Sequence, residues 1–215
     1  MQNINWPDQI LNFLGVILGV LLAFYISSAA ETKKDRKELK NILKSFKTEI
    51  GKDLKEYQNG QIPFNSEQAE KMGNLLASIQ KYKEDGTSEQ MSFSFDVSNY
   101  SPQRTTYLSI VSSGKLGLIE DLELRKEIAN YYDVFAEEAI EQGKAQIEYF
   151  MKEIIPWMIE NTDMMNFDDE DIVDDTRFSN RVLLYQSLIL NKVEQYKLVS
   201  EAAESLLVKI EKEIE

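Results

Sequence analysis

Residues 10–27, ILNFLGVILGVLLAFYIS, form an uninterrupted apolar run without a charged side chain. A helix of this length covers most of the roughly 30 Å hydrocarbon layer of a bilayer. Asp8 is the only charged side chain before the run, whereas Lys33, Lys34, Arg36 and Lys37 follow it closely. Because basic residues are retained in the cytoplasm, the pattern predicts a single transmembrane helix with the N-terminus outside and the rest of the chain in the cytoplasm.

Two other interpretations of the run stay open. A cleaved signal peptide would have basic residues before the run, and residues 1–9 contain none, although Ser27 to Ala30 resemble a cleavage region. A buried core helix would be shorter and interrupted by polar residues. Trp6 and Tyr25 favour a spanning helix, since 19 positions separate them by about 28 Å and place one aromatic ring near each interface. These two residues and the four basic residues are the predicted interface anchors.

One face of the predicted transmembrane helix carries most of its small and polar residues. At 100° per residue this face is a sector of about 120°, and its members are Asn12, Gly15, Gly19, Ala23 and Ser27. Gly15 and Gly19 form a GxxxG motif, which allows two helix backbones to approach closely. The face therefore predicts helix packing in a homo-oligomer, or the lining of a pore. Glycine is also common in membrane helices that do not associate.

The composition excludes several kinds of chemistry. The chain has no Cys and no His among its 215 residues, which removes disulfides, thiol nucleophiles, imidazole bases and the usual zinc ligands. Carboxylates, lysines and tyrosines remain, without a convergent motif. We therefore expect no enzyme activity, no catalytic residues and no cofactor.

The net charge of −13 is unevenly distributed. Residues 31–56 contain nine Lys or Arg against six Asp or Glu, and the strong negative excess lies after residue 56. A basic stalk next to the membrane suits anionic lipid headgroups. The acidic body argues against nucleic-acid binding, which needs a cationic surface.

Helical periodicity covers most of the remaining sequence and predicts an all-α fold. Apolar residues recur at threes and fours over residues 33–58, 66–83, 121–155 and 179–215. The pattern predicts a transmembrane anchor at residues 1–30, a stalk helix at 31–58 that continues the anchor until Asn59-Gly60 stops it, and a helical bundle at 59–215. Asp121 is the predicted N-cap of a long helix that Pro156 kinks or ends. Residues 91–97 are predicted to be extended against the helices, and Trp157 to lie in the core.

Residues 161–176, NTDMMNFDDEDIVDDT, are rich in carboxylates. Calcium loops need ligands at set spacing and a turn-forming glycine, and neither is present here. We expect a solvated loop and no metal site.

The chain resembles an uncharacterised family of bacterial membrane proteins, frequent in Bacteroidetes. The resemblance rests on GVILGVLLAFYISSAAETKKDRKELKNILKSFKTEI at residues 15–50, on YLSIVSSGKLGLIEDLELRKEIANYY at 107–132, and more weakly on 178–207. It implies an N-terminal anchor in the bacterial inner membrane, a charged stalk and a helical cytoplasmic domain, and it supplies no activity. The chain departs from the family pattern after the anchor, where Ser27 to Ala30 replace the usual tryptophans.

Two function classes follow from the sequence. The first is an oligomeric membrane effector whose cytoplasmic domain responds to a small ligand or a protein partner and alters ion conduction or membrane integrity, as in some bacterial defence systems. The second is a passive scaffold that recruits a cytoplasmic partner.

Four arginines lie beyond the stalk, namely Arg104, Arg125, Arg177 and Arg181. They are candidates for an anion or ligand site, because a guanidinium group binds phosphate or carboxylate in a bidentate manner. The alternative is that each of them forms ion pairs within the chain. The ligand-site hypothesis expects Arg104→Ala and Arg125→Ala to leave folding intact.

Overall fold

The computed structural model describes residues 6–86, 94–162 and 175–215, with side chains from Phe13 onward. Helices make up nearly all of this described part, and it contains no strand. The all-α prediction is therefore confirmed. Of the predicted loop at 161–176, residues 163–174 lie outside the described residues, as do residues 91–93; Asn161 ends α6, and Thr176 begins α7.

Seven α-helices follow one another along the described chain. They are α1 (Trp6–Glu56), α2 (Ile62–Asp85), α3 (Thr105–Ser112), α4 (Leu122–Asn130), α5 (Ala136–Tyr149), α6 (Ile155–Asn161) and α7 (Thr176–Ile214). Single π-helical turns join α1 to α2 (Tyr57–Gln61), α4 to α5 (Tyr131–Phe135) and α5 to α6 (Phe150–Ile154). The described chain therefore contains two long rods, residues 6–85 and 122–161, and α7 forms a third.

The predicted stop at Asn59-Gly60 is wrong, because the helix passes through these residues in a π-helical turn. The Ile62 N–H donates to the Tyr57 carbonyl, five residues earlier, which widens the turn immediately before Pro63. A proline has no N–H to donate and its ring needs room beside the preceding turn, so the widened turn accommodates it without ending the helix. Pro156 follows another π-helical turn in the same way, and α6 continues past it to Asn161.

The predicted N-cap at Asp121 is confirmed, and two further helix ends have clear local causes. Asp121 caps α4, since its carboxylate accepts hydrogen bonds from the Glu123 and Leu124 N–H groups. Gly86 ends α2 with a φ of 69°, in the left-handed region that favours glycine. At the start of α7 the Asp175 carboxylate accepts from the Arg177 N–H.

Helix α7 runs antiparallel to the 6–85 rod and forms the centre of the bundle. Its C-terminal half packs on α1, where Lys47 pairs with Glu211 at 2.8 Å. Its N-terminal half packs on α2, where the Gln186 amide donates to the Ala69 carbonyl. The buried residues form two apolar clusters, one around the α1 half and one around the α2 half.

Trp157 is 5% exposed in the α2 cluster and stacks on Phe178 with ring centroids 4.4 Å apart. Its predicted place in the core is confirmed.

Residues 94–104 form an extended segment that crosses the helices between α2 and α3. Phe95 packs near Phe150 and Tyr185, with ring centroids 5.9 and 5.6 Å away. For residues 94–97 the predicted packing against the helices is confirmed, and no strand forms there. This segment brings polar groups into the middle of the bundle.

The first part of α1 projects from the bundle. It is the one helix in the described chain that is long and apolar enough to span a membrane, with a mean hydropathy of 2.2 over its apolar window. None of that window is buried inside the protein. The interpretation of the run as a buried core helix is therefore wrong. A signal sequence passes the same test of length and composition, so the signal-peptide interpretation stays open.

Candidate functional site

The predicted packing face of α1 is open in the monomer. A Cβ atom built on Gly15 or Gly19 would meet nothing within 4 Å, and Ala23 and Ser27 are exposed. The side chains of Asn12 and Trp6 lie outside the described part of the protein. Of the predicted interface anchors, Tyr25 is 74% exposed, and the four basic residues Lys33, Lys34, Arg36 and Lys37 are also exposed.

The four candidate arginines are held by groups of this chain on three separate parts of the bundle. Arg104 pairs with Glu137 at 2.5 Å and Asp133 at 3.5 Å and donates to the Tyr132 carbonyl. The Arg125 guanidinium donates twice to the Ile119 carbonyl.

Arg177 pairs with Asp175 at 3.3 Å, and Arg181 lies 3.8 Å from Glu153. Only Arg177 and Arg181, one turn apart on α7, are neighbours. Each of the four guanidinium groups therefore has a partner within the chain, while the Nε atoms of Arg104 and Arg181 are buried without a hydrogen-bond partner.

A polar seam is formed by the buried residues Asp53, Tyr131 and Lys192, the half-buried Tyr100 and the exposed Asn99, together with their partners. Asp53 belongs to α1 and is fully buried. Its Oδ1 accepts from the Tyr100 hydroxyl at 2.6 Å and the Gln103 N–H at 3.1 Å, and its Oδ2 accepts from the Tyr131 hydroxyl at 3.2 Å. One carboxylate thus ties α1 to the extended segment and to the π-helical turn that joins α4 to α5.

Aromatic rings enclose Asp53 on several sides. The ring centroid of Tyr57 lies 5.2 Å from that of Tyr100 and 5.0 Å from that of Tyr196. The ring centroids of Tyr131 and Tyr132 are 4.8 Å apart. Burial raises the pKa of the Asp53 carboxyl, while the hydrogen bonds from Tyr100, Gln103 and Tyr131 act in the opposite direction. These three hydrogen bonds therefore stabilise the charged form of the buried carboxylate.

Lys192 is the second charged group of the seam and is also fully buried, on α7. Its Nζ donates to the Ser98 carbonyl at 3.0 Å, to Asn99 Oδ1 at 3.1 Å and to Gln146 Oε1. No carboxylate lies within ion-pair distance among the described residues, and burial lowers the pKa of this amine to about 7. Lys192 therefore ties α7 and α5 to the extended segment through neutral acceptors.

Asn99 completes this part of the seam. Its amide donates to the Gly143 carbonyl at 2.9 Å, and a Cβ on residue 143 would lie 3.0 to 3.2 Å from the Asn99 side-chain atoms. A glycine is needed at this position of α5 so that the extended segment can approach it closely.

The seam joins four helical elements and the extended segment, and it is closed to solvent at both charged residues. Because a substrate could not reach these charged groups, the arrangement suits a structural link between helices better than a substrate pocket. The described residues also contain no cluster of three or more Asp or Glu side chains that could hold a metal ion.

Sequence reasoning missed Asp53 and Lys192, although the sequence carries a signal for both. Asp53 follows Ile50 by three positions and precedes Tyr57 by four, so it lies in the apolar stripe of its helix. Lys192 has the same spacing to Ile189 and Tyr196. A charged residue inside a buried stripe indicates a buried polar contact.

The bundle surface carries an apolar groove of about 300 Å³ between the α4–α5 rod and α7. Phe135, Leu198 and Ala202 line it, with Glu127 and Glu201 at its margin.

A family model described as a family of unknown function (DUF6090) matches residues 12–190. No curated protein and no solved structure matches the chain.

Proposed function

The chain belongs to this family of unknown function, and from its own geometry we propose that it is an oligomeric single-pass membrane effector of the bacterial inner membrane. In this proposal residues 10–27 span the bilayer with the N-terminus outside. The bundle lies in the cytoplasm, responds to a ligand or a protein partner, and alters ion conduction or membrane integrity. A role in bacterial defence is the most specific form of the proposal.

The observation that carries the proposal is the uninterrupted helix from the exposed apolar run into the core of the bundle. Residues 6–56 are one α-helix, in which residues 13–30 are exposed whereas Leu43, Phe46 and Ile50 are buried. An α-helix transmits rotation and translation along its axis because every turn is hydrogen-bonded to the next. A change in the bundle would therefore be transmitted to the apolar segment.

The polar seam supplies the element that such a change would act on. Asp53 on α1 accepts hydrogen bonds from the extended segment and from the α4–α5 rod. A ligand or partner that displaced either one would alter the contacts that fix the position of α1. In the oligomer, the open face with Gly15 and Gly19 would then repack against neighbouring copies.

Membrane potential in growing cells tests the proposal. Expression of the intact chain should depolarise the inner membrane and arrest growth once the bundle is triggered, and Gly15→Leu/Gly19→Leu should abolish both effects. Ile17→Phe/Leu21→Phe adds bulk to the opposite face of the same helix and should remain active. Equal activity of the glycine variant and the intact chain would contradict the role of this face.

The groove between the α4–α5 rod and α7 favours a second candidate, a passive scaffold that recruits a cytoplasmic protein. Its apolar side chains and Glu201 suit an apolar helix with a basic residue at its edge. In the same experiment, a harmless protein that captures one partner regardless of Gly15 and Gly19 would support this scaffold and exclude the effector.

A further inference from the structure

Charged residues are segregated around the cytoplasmic part of α1. At 100° per residue, all six acidic residues between Glu31 and Glu56 project within a sector of about 60°. That sector faces α3 and the turn that follows it. Glu49 accepts from the Thr106 N–H of α3, and Glu38 pairs at 2.5 Å with Lys115, just after α3. The acidic side of α1 is therefore occupied by the bundle.

A basic stripe projects from the other side of the same helix. Its members fall within about 100° of one another, and they are Lys33, Arg36, Lys37, Lys40 and Lys44. All five are exposed, and none of them forms an ion pair within the described part of the chain. By contrast, Lys47 in the next turn pairs with Glu211 on α7. The stripe thus occupies the stretch of α1 between this ion pair and the apolar run.

Acidic residues of the bundle offset part of this charge. Arg36 and Lys40 line a groove together with Glu120, Glu213 and Glu215 at the end of the bundle nearest the apolar run. Lys34 lies close enough to Glu38 to lower the pKa of that carboxyl, although Lys115 has the larger effect. Lys33 and Lys37, one helical turn apart, do not line this groove and are the members of the stripe nearest the apolar run that stay outside it.

The positions of Lys33 and Lys37 along α1 fit the phosphate layer of a membrane. They follow Ser27 by about 9 and 15 Å along the helix axis, and the headgroup layer extends about 5 to 8 Å beyond the hydrocarbon on each side. A lysine side chain can bend along its helix to place its ammonium group at the interface. Both groups are therefore within reach of lipid phosphates.

We propose that Lys33 and Lys37 form a binding surface for the phosphate groups of anionic phospholipids in the leaflet on the bundle side. The inference rests on the proposed insertion of residues 10–27 into a membrane. Phosphates held there would fix the height and rotation of α1 at the point where it leaves the bilayer. The acidic residues of the groove, at the edge of the same surface, would direct the lipids toward the outward side of the helix.

The chain has no cysteine, so an Ala30→Cys variant accepts a single fluorophore in the headgroup layer. The full chain carrying this label is placed in nanodiscs that contain either phosphatidylcholine alone or a mixture with phosphatidylglycerol. A trace of nitroxide-labelled lipid of one kind or the other is the quencher. We expect labelled phosphatidylglycerol to quench about fivefold more efficiently than labelled phosphatidylcholine at equal mole fraction.

Lys33→Gln/Lys37→Gln should remove this preference. The matched control is Lys52→Gln/Lys55→Gln, which changes two exposed lysines on the same helix about 37 and 42 Å beyond Ser27. These positions lie several screening lengths from the lipid surface, so the preference should persist.

Equal quenching by the two labelled lipids, in the chain that retains Lys33 and Lys37, would overturn the inference. Complete removal of the lipid preference by free inorganic phosphate would also overturn it. So would a preference that changes with protein concentration, because the lysines would then contact an acidic surface of a second copy. If the chain does not enter nanodiscs at all, the proposed membrane function fails. Entry without a lipid preference contradicts only the binding surface.

Discussion

The Tyr100 hydroxyl donates a hydrogen bond of 2.6 Å to Asp53, 47 residues earlier in the chain. This bond links the helix that leaves the bundle to the extended segment that crosses it. Asp53 is fully buried and Tyr100 is half-buried, so water does not readily replace the bond at the carboxylate. The position of α1 therefore depends on the extended segment.

Asp53→Asn should destabilise the chain by about 2 to 3 kcal/mol. The carboxylate accepts from three donors, whereas an asparagine offers one acceptor oxygen and places an NH₂ group against the remaining donors. Urea unfolding of the full chain, followed by tryptophan fluorescence in a Trp6→Phe background so that Trp157 is the reporter, measures the loss. Asp35→Asn is the matched control on the same helix, since Asp35 is only half-buried, and should change the free energy of unfolding by less than about 0.5 kcal/mol.

A double-mutant cycle separates the Asp53–Tyr100 bond from the rest of the seam. Tyr100→Phe should be destabilising in the intact chain and nearly neutral in the Asp53→Asn background. Additive effects of the two substitutions would show that the bond does not stabilise the fold.

Lys192 should make stability depend on pH between about 7 and 10. Burial lowers its pKa to about 7 in the folded chain, while an unfolded lysine titrates near 10.4. In this window the unfolded chain binds one more proton than the folded chain, so the free energy of unfolding rises with pH, by up to about 1.4 kcal/mol per unit. Below pH 7 both states are protonated and the contribution of Lys192 is constant.

Urea unfolding at pH 6, 7, 8 and 9 checks this prediction. Lys192→Met should remove the rise, and Lys197→Met, at an exposed position of the same helix, should keep it. A rise of the same slope in Lys192→Met would assign it to other groups. The buried tyrosines do not interfere, because burial raises their pKa values and their effect begins only above pH 10.

Much of the helical framework could be predicted because it depends on local chemistry. The apolar stripes locate the helices, Asp121 supplies a capping carboxylate, and Gly86 supplies a left-handed residue at a helix end. Asn59-Gly60 shows where local chemistry fails. The pair is typical of a helix stop, yet Tyr57, Gln61 and Asn65 around it are buried, and this packing keeps the chain helical.

The seam could be predicted only in part. The positions of Asp53 and Lys192 within apolar stripes indicate that each has a buried polar partner. Their partners Tyr100, Ser98 and Asn99 belong to a segment without helical periodicity. Hydrogen bonds to residues 44, 47 and 94 positions away in the sequence fix the path of this segment across the bundle. No local pattern specifies such a path.

Arg104→Ala should destabilise the fold by about 1 to 2 kcal/mol, contrary to the expectation that it leaves folding intact. The side chain is only 26% exposed and contacts Glu137, Asp133 and the Tyr132 carbonyl, so it joins the start of α3 to the α4–α5 rod. Thermal unfolding of the full chain measures the effect. Arg177→Ala is the control, because Arg177 is 77% exposed and its ion pair should contribute little. An equal, small change in both variants would contradict a structural role for Arg104.

Gly143→Ala and Gly51→Ala should have opposite effects on stability, although both replace a glycine inside a helix. An alanine at position 51 meets nothing within 4 Å and should stabilise α1 by about 0.5 to 1 kcal/mol. An alanine at position 143 would lie 3.0 Å from the Asn99 amide nitrogen, so Asn99 must move. Its hydrogen bond to the Gly143 carbonyl and its contact with Lys192 would both be weakened.

We expect Gly143→Ala to be less stable than Gly51→Ala by about 2 kcal/mol in urea unfolding. The loss should shrink in a Lys192→Met background, because the contact between Asn99 and the amine is already absent there. If both alanines stabilise the chain equally, the close approach of the extended segment to α5 is not tight enough to hold the seam. Destabilisation at position 143 that is unaffected by Lys192→Met would instead confine the role of Gly143 to its bond with Asn99.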